Sequence, residues 1–262
     1  MTILSASQLA ISFGGVRAVD GVSLAVERGE VYSIIGPNGS GKTTLFNLIS
    51  GIYVPTTGTI RLAGENVTGL VPEQLARRGL SRTFQNLQIF FRMSVLENVM
   101  VGRHRHEKTG IFADLLHWPS VARQNRQTRE AAMAALARVG LAEAAERPAA
   151  ALPYGALKRL EIARALASEP VLLLLDEPAA GCNPVETQEL DRVIRSLTNE
   201  GITVVLVEHD MRLVMNISDR VHVLASGRTL AHGTPLEVRS DPAVIEAYLG
   251  THGSEEAARA IG

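Results

Sequence analysis

A single cysteine, Cys182, stands in 262 residues, so no disulfide can form within the chain, and a reducing compartment fits. Neither sign of charge is in excess. The net charge of -1 gives no bulk argument for binding nucleic acid or an anionic membrane surface. Long apolar runs are missing too. Val171 to Leu175 and Thr203 to Val207, with their neighbours, fall far short of the roughly 20 residues that cross a bilayer. Met1 to Ile11 has no basic stretch followed by a long apolar run, so it does not read as a signal peptide. There is no internal repeat and no low-complexity linker. The length suits one large α/β domain, or a domain with a subdomain grafted on, and is ample for a buried core.

The first stretch alternates. Leu9, Ile11 and Phe13 are expected on one face, a Gly14-Gly15 turn follows, and Val22, Leu24 and Val26 resume the period of two, as in antiparallel strands joined by a tight turn. Val31 to Ile35 then reads as a buried strand entering a Gly-rich loop and a helix over Lys42 to Ser50. Thr57 to Leu62 is another strand. From Ser94 the texture turns helical, and Ser94 with Glu97 forms a capping box. Further helices are predicted over 121–138 and from about Gly155 to Ser168. Strand and helix alternate again after that: Val171–Leu175, a helix started by Asn183 and Pro184, Ile202–Val207, a short helix over Met211–Ile217, Val221–Leu224, and a last helix over Pro242–Leu249. The pattern predicts an α/β fold with a mostly parallel core sheet, an antiparallel β part at the N-terminus and an inserted helical middle. Residues 1–85 and 166–250 form the core, 86–165 the insertion, and 251–262 a frayed tail.

Gly36-Pro37-Asn38-Gly39-Ser40-Gly41-Lys42-Thr43 matches the phosphate-loop pattern in full, between an apolar strand and an apolar helix. Glycines let backbone N–H groups converge on phosphate oxygens, and the helix beginning at Lys42 turns its positive end toward the same anion. Lys42 supplies a point charge for the β- and γ-phosphates, and Thr43 a hydroxyl for Mg²⁺. The expected cofactors are therefore ATP and Mg²⁺, with Thr44 completing the nucleotide contacts. Val171 to Leu175 runs straight into Asp176 and Glu177, as a strand buried on both faces would, and ligands of such sheets sit at the carboxyl ends of the strands. Asp176 there would hold Mg²⁺, and Glu177 would orient and deprotonate the attacking water. Ile202 to Val207 ends in Glu208-His209-Asp210, which places His209 to bond the γ-phosphate. The other six histidines have no such setting: His104, His106, His117, His222, His232 and His252 read as surface or packing residues.

With these motifs in this order the chain resembles the ATPase subunits of ABC transporters over about residues 3–250. The resemblance adds roles. Phe13 stands where the family keeps an aromatic that stacks on adenine. Gln85, in Thr83-Phe84-Gln85-Asn86, is similar to a glutamine that touches Mg²⁺ or the water and bends toward a membrane partner. Leu152-Pro153-Tyr154-Gly155-Ala156 occupies the place of the family's signature loop, so Tyr154 and Gly155 would face the ATP of the opposite subunit. Pro153 replaces the usual serine, and Asn183 ends a loop that usually ends in aspartate. Phrases such as Ser81-Arg82-Thr83-Phe84-Gln85, Glu177-Pro178-Ala179-Ala180-Gly181 and Asp241-Pro242-Ala243-Val244-Ile245 are similar to ATPases of branched-chain amino acid importers, in particular the longer of the two that are paired there, with urea and amide importers sharing much of the pattern.

That resemblance implies ATP hydrolysis at the cytoplasmic face of the inner membrane. It also implies a second ATPase subunit, identical or paralogous, two membrane permease subunits, an indirect periplasmic solute-binding protein and no nucleic acid. Leu87, Ile89, Phe90 and Phe91 are more apolar than an exposed loop needs and are expected at the permease contact. Lipopolysaccharide-export ATPases share the short length, but their signature is more often Leu-Ser-Gly-Gly. Non-transport ABC ATPases usually carry two cassettes, coiled-coil arms or zinc cysteines. A nucleotide-binding regulator without turnover would have no use for Glu177 and His209.

Overall fold

The computed structural model describes residues 1–104 and 119–249. His106, His117, His252 and the tail from Gly250 lie outside the described residues. β1 (Thr2–Phe13) and β2 (Val16–Glu27) pair antiparallel, with Phe13 opposite Val16 across the Gly14-Gly15 turn. Both glycines have positive φ, 54° and 86°, which the two-residue hairpin turn demands. β1 also pairs with β4 (Thr57–Leu62), and β4 with β5 (Glu65–Asn66), giving a four-stranded antiparallel sheet in the order β2-β1-β4-β5. Leu9 and Ile11 are buried as expected, but Phe13 is 46% exposed. Phe13 is the last residue of β1, at the Gly14-Gly15 turn, and lies past the end of the buried row.

The second sheet has six strands in the order β10-β9-β3-β8-β7-β6. β3 (Val31–Ile35), β6 (Leu80–Arg82), β7 (Leu172–Asp176), β8 (Thr203–Val207) and β9 (Arg220–Ala225) run parallel, and β10 (Arg228–Gly233) closes one edge antiparallel to β9. Every residue of β3, β7 and β8 is buried, which is why these strands are mostly apolar rather than alternating. Their side chains still part to two faces. Leu173, Leu175, Val204 and Leu206 join one apolar cluster, and Leu172, Leu174, Val205 and Val207 the other.

Helices and the small sheet form the outer layers. On the first face lie α3 (Val95–Val101), α4 (Pro119–Arg138), α5 (Tyr154–Leu166), α6 (Pro184–Asn199) and α7 (Met211–Ile217). On the second lie α1 (Lys42–Ile49), α2 (Pro72–Arg77) and the antiparallel sheet, packed through Phe46, Leu48, Leu75, Leu9 and Val26. α8 (Pro235–Ser240) and α9 (Pro242–Leu249) close the C-terminal end. The capping box at α3 forms as its spacing predicts: Ser94 Oγ accepts from Glu97 N at 3.1 Å, and Ser94 N donates to Glu97 Oε2 at 2.7 Å. β5, α2, β6, β10 and α8 are absent from the sequence-based prediction. They span between two and six residues and mix polar with apolar positions, so they show neither an apolar run nor a period.

His222, expected as a surface or packing residue, is buried on β9 between two hydroxyls. Its Nδ1 lies 3.0 Å from Tyr32 Oη and its Nε2 3.0 Å from Thr229 Oγ1. Burial, and to a lesser degree the neighbouring His232, push its pKa down to about 4. Above about pH 6.5 the ring is neutral in the folded and unfolded chain alike. Between that pH and the folded value the unfolded chain binds a proton that the folded chain refuses, so stability falls with falling pH, by about 3 kcal/mol in all. Denaturant unfolding across this range should show that slope in the wild type, and a His222→Gln variant should show a shallower one.

Candidate active site

The phosphate loop joins the end of β3 to α1. Gly36, Gly39 and Gly41 have φ of 151°, 78° and 101°. A Cβ on Gly36 would lie 2.2 Å from the carbonyl oxygen of Leu224, and one on Gly41 2.4 Å from that of Ala18, so the loop closes only with glycine there. α1 has no side-chain cap, which leaves its first N–H groups to an outside acceptor. Ser40 Oγ is buried without a hydrogen-bond partner, an orphaned polar atom at the same place. Lys42 Nζ curls back and donates to the carbonyls of Gly36, at 2.7 Å, and Pro37, at 3.0 Å. Burial lowers its pKa, and the nearby Glu177 carboxylate partly restores it. A cavity of about 460 Å³ opens here, walled by Asn38, Lys42, Thr43, Thr44 and Glu177 and, across from them, by Arg17 and Gly227.

Asp176 ends β7, almost wholly buried, and its Oδ2 accepts from Arg82 Nη2 at 2.7 Å. Glu177 follows in the left-handed region, φ 47°, a conformation that costs a non-glycine residue about 1 kcal/mol or more and gathers at functional sites. That turn carries the Glu177 side chain out of the strand and into the cavity wall. Its Oε2 accepts from Gln85 Nε2 at 3.0 Å and lies 3.8 Å from His209 Nδ1. The acid and the amide are thus hydrogen-bonded beside the phosphate loop, and the imidazole stands near the same oxygen, 3.9 Å from Glu208 Oε2 on its other side. Glu208, buried at the end of β8, holds two of the loops involved. Its Oε1 accepts from Ala179 N at 2.8 Å, and its Oε2 from His209 N at 3.0 Å and Asp210 N at 3.3 Å. Burial raises the Glu208 pKa against the pull of these three N–H groups.

The segment around Tyr154 lies elsewhere and lines no part of that cavity. Tyr154 Oη donates to the carbonyl of Ala180 at 3.2 Å, and its ring would lie 3.0 Å from a Cβ at Gly181, whose φ of 80° favours glycine. Gly155 N donates to Glu186 Oε1 at 2.9 Å, while Oε2 of the same carboxylate accepts from Asn183 N at 3.0 Å. The N–H expected to await an anion from outside is therefore engaged by a carboxylate of its own chain. A Cβ at Gly155 would lie 2.5 Å from Glu186 Cγ, so this contact too requires glycine.

Residues 19–180 match the family described as ABC transporter. Residues 228–254 match a second description, branched-chain amino acid ATP-binding cassette transporter. The chain is an ABC transporter ATP-binding cassette. It is 49% identical over 249 residues, 95% of this chain and 98% of the other, to the high-affinity branched-chain amino acid transport ATP-binding protein LivG of Escherichia coli (strain K12). It is 50% identical over the same shares to BraF of Pseudomonas aeruginosa, which carries the same description. Among solved structures, the ADP conformation of an ATP-binding cassette of an ABC transporter superposes with a TM-score of 0.84 at 34% identity, covering 95% of this chain and 99% of that one.

In this cassette Lys42, Thr43, Thr44, Asp176, Glu177, Gln85 and His209 lie at one end of the core sheet. Phe13 does not wall the cavity and instead meets the Tyr53 ring edge-on at 5.2 Å, with Val16 and Arg17 lining the space nearby. Of the apolar run after Gln85, Phe90 and Phe91 are exposed, but Ile89 is buried and Leu87 packs against the core. Three contributors went unassigned in the sequence reading: Arg82, Glu186 and Glu208. Glu208 had a visible signal, an acid ending an all-apolar strand as Asp176 does. Replacing Glu208 with alanine leaves three N–H groups without their acceptor. Chemical denaturation should register a loss of about 2–4 kcal/mol.

Proposed function

We propose that this cassette is the ATP-hydrolysing subunit of an importer for branched-chain or related amino acids. The observation that carries the reading is the placement of Gln85 and His209 around Glu177 Oε2, next to the phosphate loop. The loop N–H groups and Ser40 take the phosphates, and Lys42 leaves the carbonyls of Gly36 and Pro37 for the β- and γ-phosphate oxygens. Phe13 and its neighbours take the base. Thr43, Asp176 and Gln85 offer the hard oxygen donors that Mg²⁺ prefers, and the ion, when bound, offsets charge on the phosphate oxygens. Glu177 orients a water and takes its proton as the water oxygen attacks the γ-phosphorus. The bond from that phosphorus to the β–γ bridging oxygen breaks, ADP is the leaving group, and His209 and Lys42 bond the equatorial oxygens.

The remaining features suit a subunit that works in pairs below a membrane. Two cassettes packed head to tail would bring Tyr154 and Gly155 of one to the nucleotide of the other, and γ-phosphate loss would open them. The contact between Gly155 and Glu186 must then yield or be shared. An apolar cavity of about 560 Å³ between Ile52, Phe84, Phe90 and Arg164 fits a short helix of a permease subunit, with Phe90 and Val101 exposed at it. In this reading residues 86–104 and 119–165 are the helical part that carries Tyr154 and Gly155, and 1–85 and 166–249 the nucleotide-binding core. Among the described residues no helix is long and apolar enough to cross a membrane, so permease subunits would hold the cassette at the cytoplasmic face, below a periplasmic binding protein. In a Glu177→Gln variant, phosphate release should fall by about two orders of magnitude or more while MgATP binding persists. Undiminished turnover would remove Glu177 as the base.

A further inference from the structure

Arg82 is the most heavily engaged side chain near the site that the hydrolysis scheme leaves without a task. It sits on β6, three residues before Gln85, with its side chain 11% exposed against 7% for Asp176. Its guanidinium reaches two elements at once. Nη1 donates to Asn47 Oδ1 at 2.7 Å and to Ser50 Oγ at 2.6 Å, both at the C-terminal end of the phosphate-loop helix α1. Nη2 donates to Asp176 Oδ2 at 2.7 Å. The group lies over the Phe46 ring at 4.8 Å and within 5.9 Å of Phe84. Only Nε lacks a partner.

A buried ion pair is a poor device for stability alone, because desolvation consumes most of its attraction and apolar residues of equal volume often serve as well. What the pair does provide is position. A planar fork with one arm on α1 and the other on β7 sets the distance and angle between two elements, which a flexible ammonium would not do. Those two elements carry Thr43 and Asp176. The Arg82 backbone, on β6, leads into Gln85. One cation therefore ties together the three segments that bear the oxygen donors assigned above to magnesium.

We propose that Arg82 is a positioning residue for the magnesium carboxylate. By holding Asp176 Oδ2 against the phosphate-loop helix, it fixes the carboxylate so that Oδ1 is presented to the ion or its water, and it supplies the counter-charge that a buried carboxylate requires. The inference rests on the reading of Asp176 as a magnesium carboxylate, and outer residues of this kind change metal affinity roughly ten- to a hundredfold when replaced.

The test is binding of a fluorescent ATP analogue to the full-length cassette, once with excess Mg²⁺ and once with EDTA, in Arg82→Lys, Arg82→Met, Asp176→Asn and Arg159→Met. Arg159 is also largely buried, donating to the Val139 carbonyl at 3.1 Å and pairing with Glu189 at 3.2 Å, so its variant reads the cost of losing a buried arginine alone. For folded Arg82→Lys, metal-free affinity should stay close to wild type. The gain conferred by Mg²⁺ should shrink about tenfold, with the Mg²⁺ titration midpoint moving up to match. Arg82→Met should lose at least as much, and Arg159→Met should keep the gain. The lysine variant retains charge and length, so it keeps the test open should the methionine variant fail to fold. An Arg82→Lys protein with the full Mg²⁺ gain beside an Asp176→Asn protein that lacks it overturns the inference alone, as does an equal loss with and without metal. An Asp176→Asn protein that retains the gain overturns the magnesium assignment and takes this inference with it.

Discussion

Parallel pairing of three wholly buried strands is the constraint on which the site depends. Val31 to Ile34 of β3 run in register with Val204 to Val207 of β8, and Leu172 to Asp176 of β7 with Thr203 to Val207 from the other side. Because both faces of these strands are covered, a polar side chain along them needs a partner, as Ser33 has in Ser218, and charged groups are pushed to the ends. Because the strands are parallel, the ends that carry Gly36, Asp176 and Glu208 are the same ends. An antiparallel β8 would have placed Glu208 and His209 at the opposite edge, out of reach of Glu177. Convergence at one edge is a result of strand direction before any side chain is considered.

Glycine and buried charge then do different work around that edge. At Gly36 and Gly41 the absent Cβ lets backbone meet backbone, and at Gly155 and Gly181 it lets a carboxylate and a phenol ring close in. Charged side chains, buried like Glu208 or partly exposed like Glu186, tie loops that strand pairing cannot reach. Glu208 joins the turn after Glu177 to the turn at His209. Glu186 joins the Asn183 turn to the start of α5. On α5 itself Lys158 donates to the Gln85 carbonyl at 3.5 Å, Glu161 accepts from Gln88 N at 2.7 Å, and Arg164 donates to the Gln88 carbonyl. The stretch after Gln85 is thereby bound to the helix that begins at Tyr154. A displacement at Gln85, whose amide touches Glu177, has a bonded route to the Tyr154–Gly155 turn.

Much of this was legible in residue order. A glycine-rich loop between an apolar strand and a helix has few uses other than cradling phosphate, and an apolar run ending in Asp176-Glu177 announces a strand end with a charge to present. The capping box at Ser94 was equally plain, since it needs only residues three apart, and Asn183 before Pro184 marked a helix start, although the box that Glu186 completes there went unread. The burial of His222 was not legible, because nothing near it in sequence says that Tyr32 and Thr229 will flank it. Nor was the exposure of Phe13, because only packing decides how far along β1 the core extends.

Local order along the chain, then, determined most of the strands and helices, the phosphate cradle and the acids at the strand ends, since each of these is built from neighbours whose geometry a few residues dictate. Tertiary structure alone decided that Arg82 would grip Asp176 across 94 positions of sequence, that Glu186 would occupy the N–H of Gly155, and that Gln85 and His209 would stand around one oxygen of Glu177. These contacts join segments that touch only after the sheet has chosen its strand order. A charge becomes a clamp only where folding removes the water that would otherwise satisfy it.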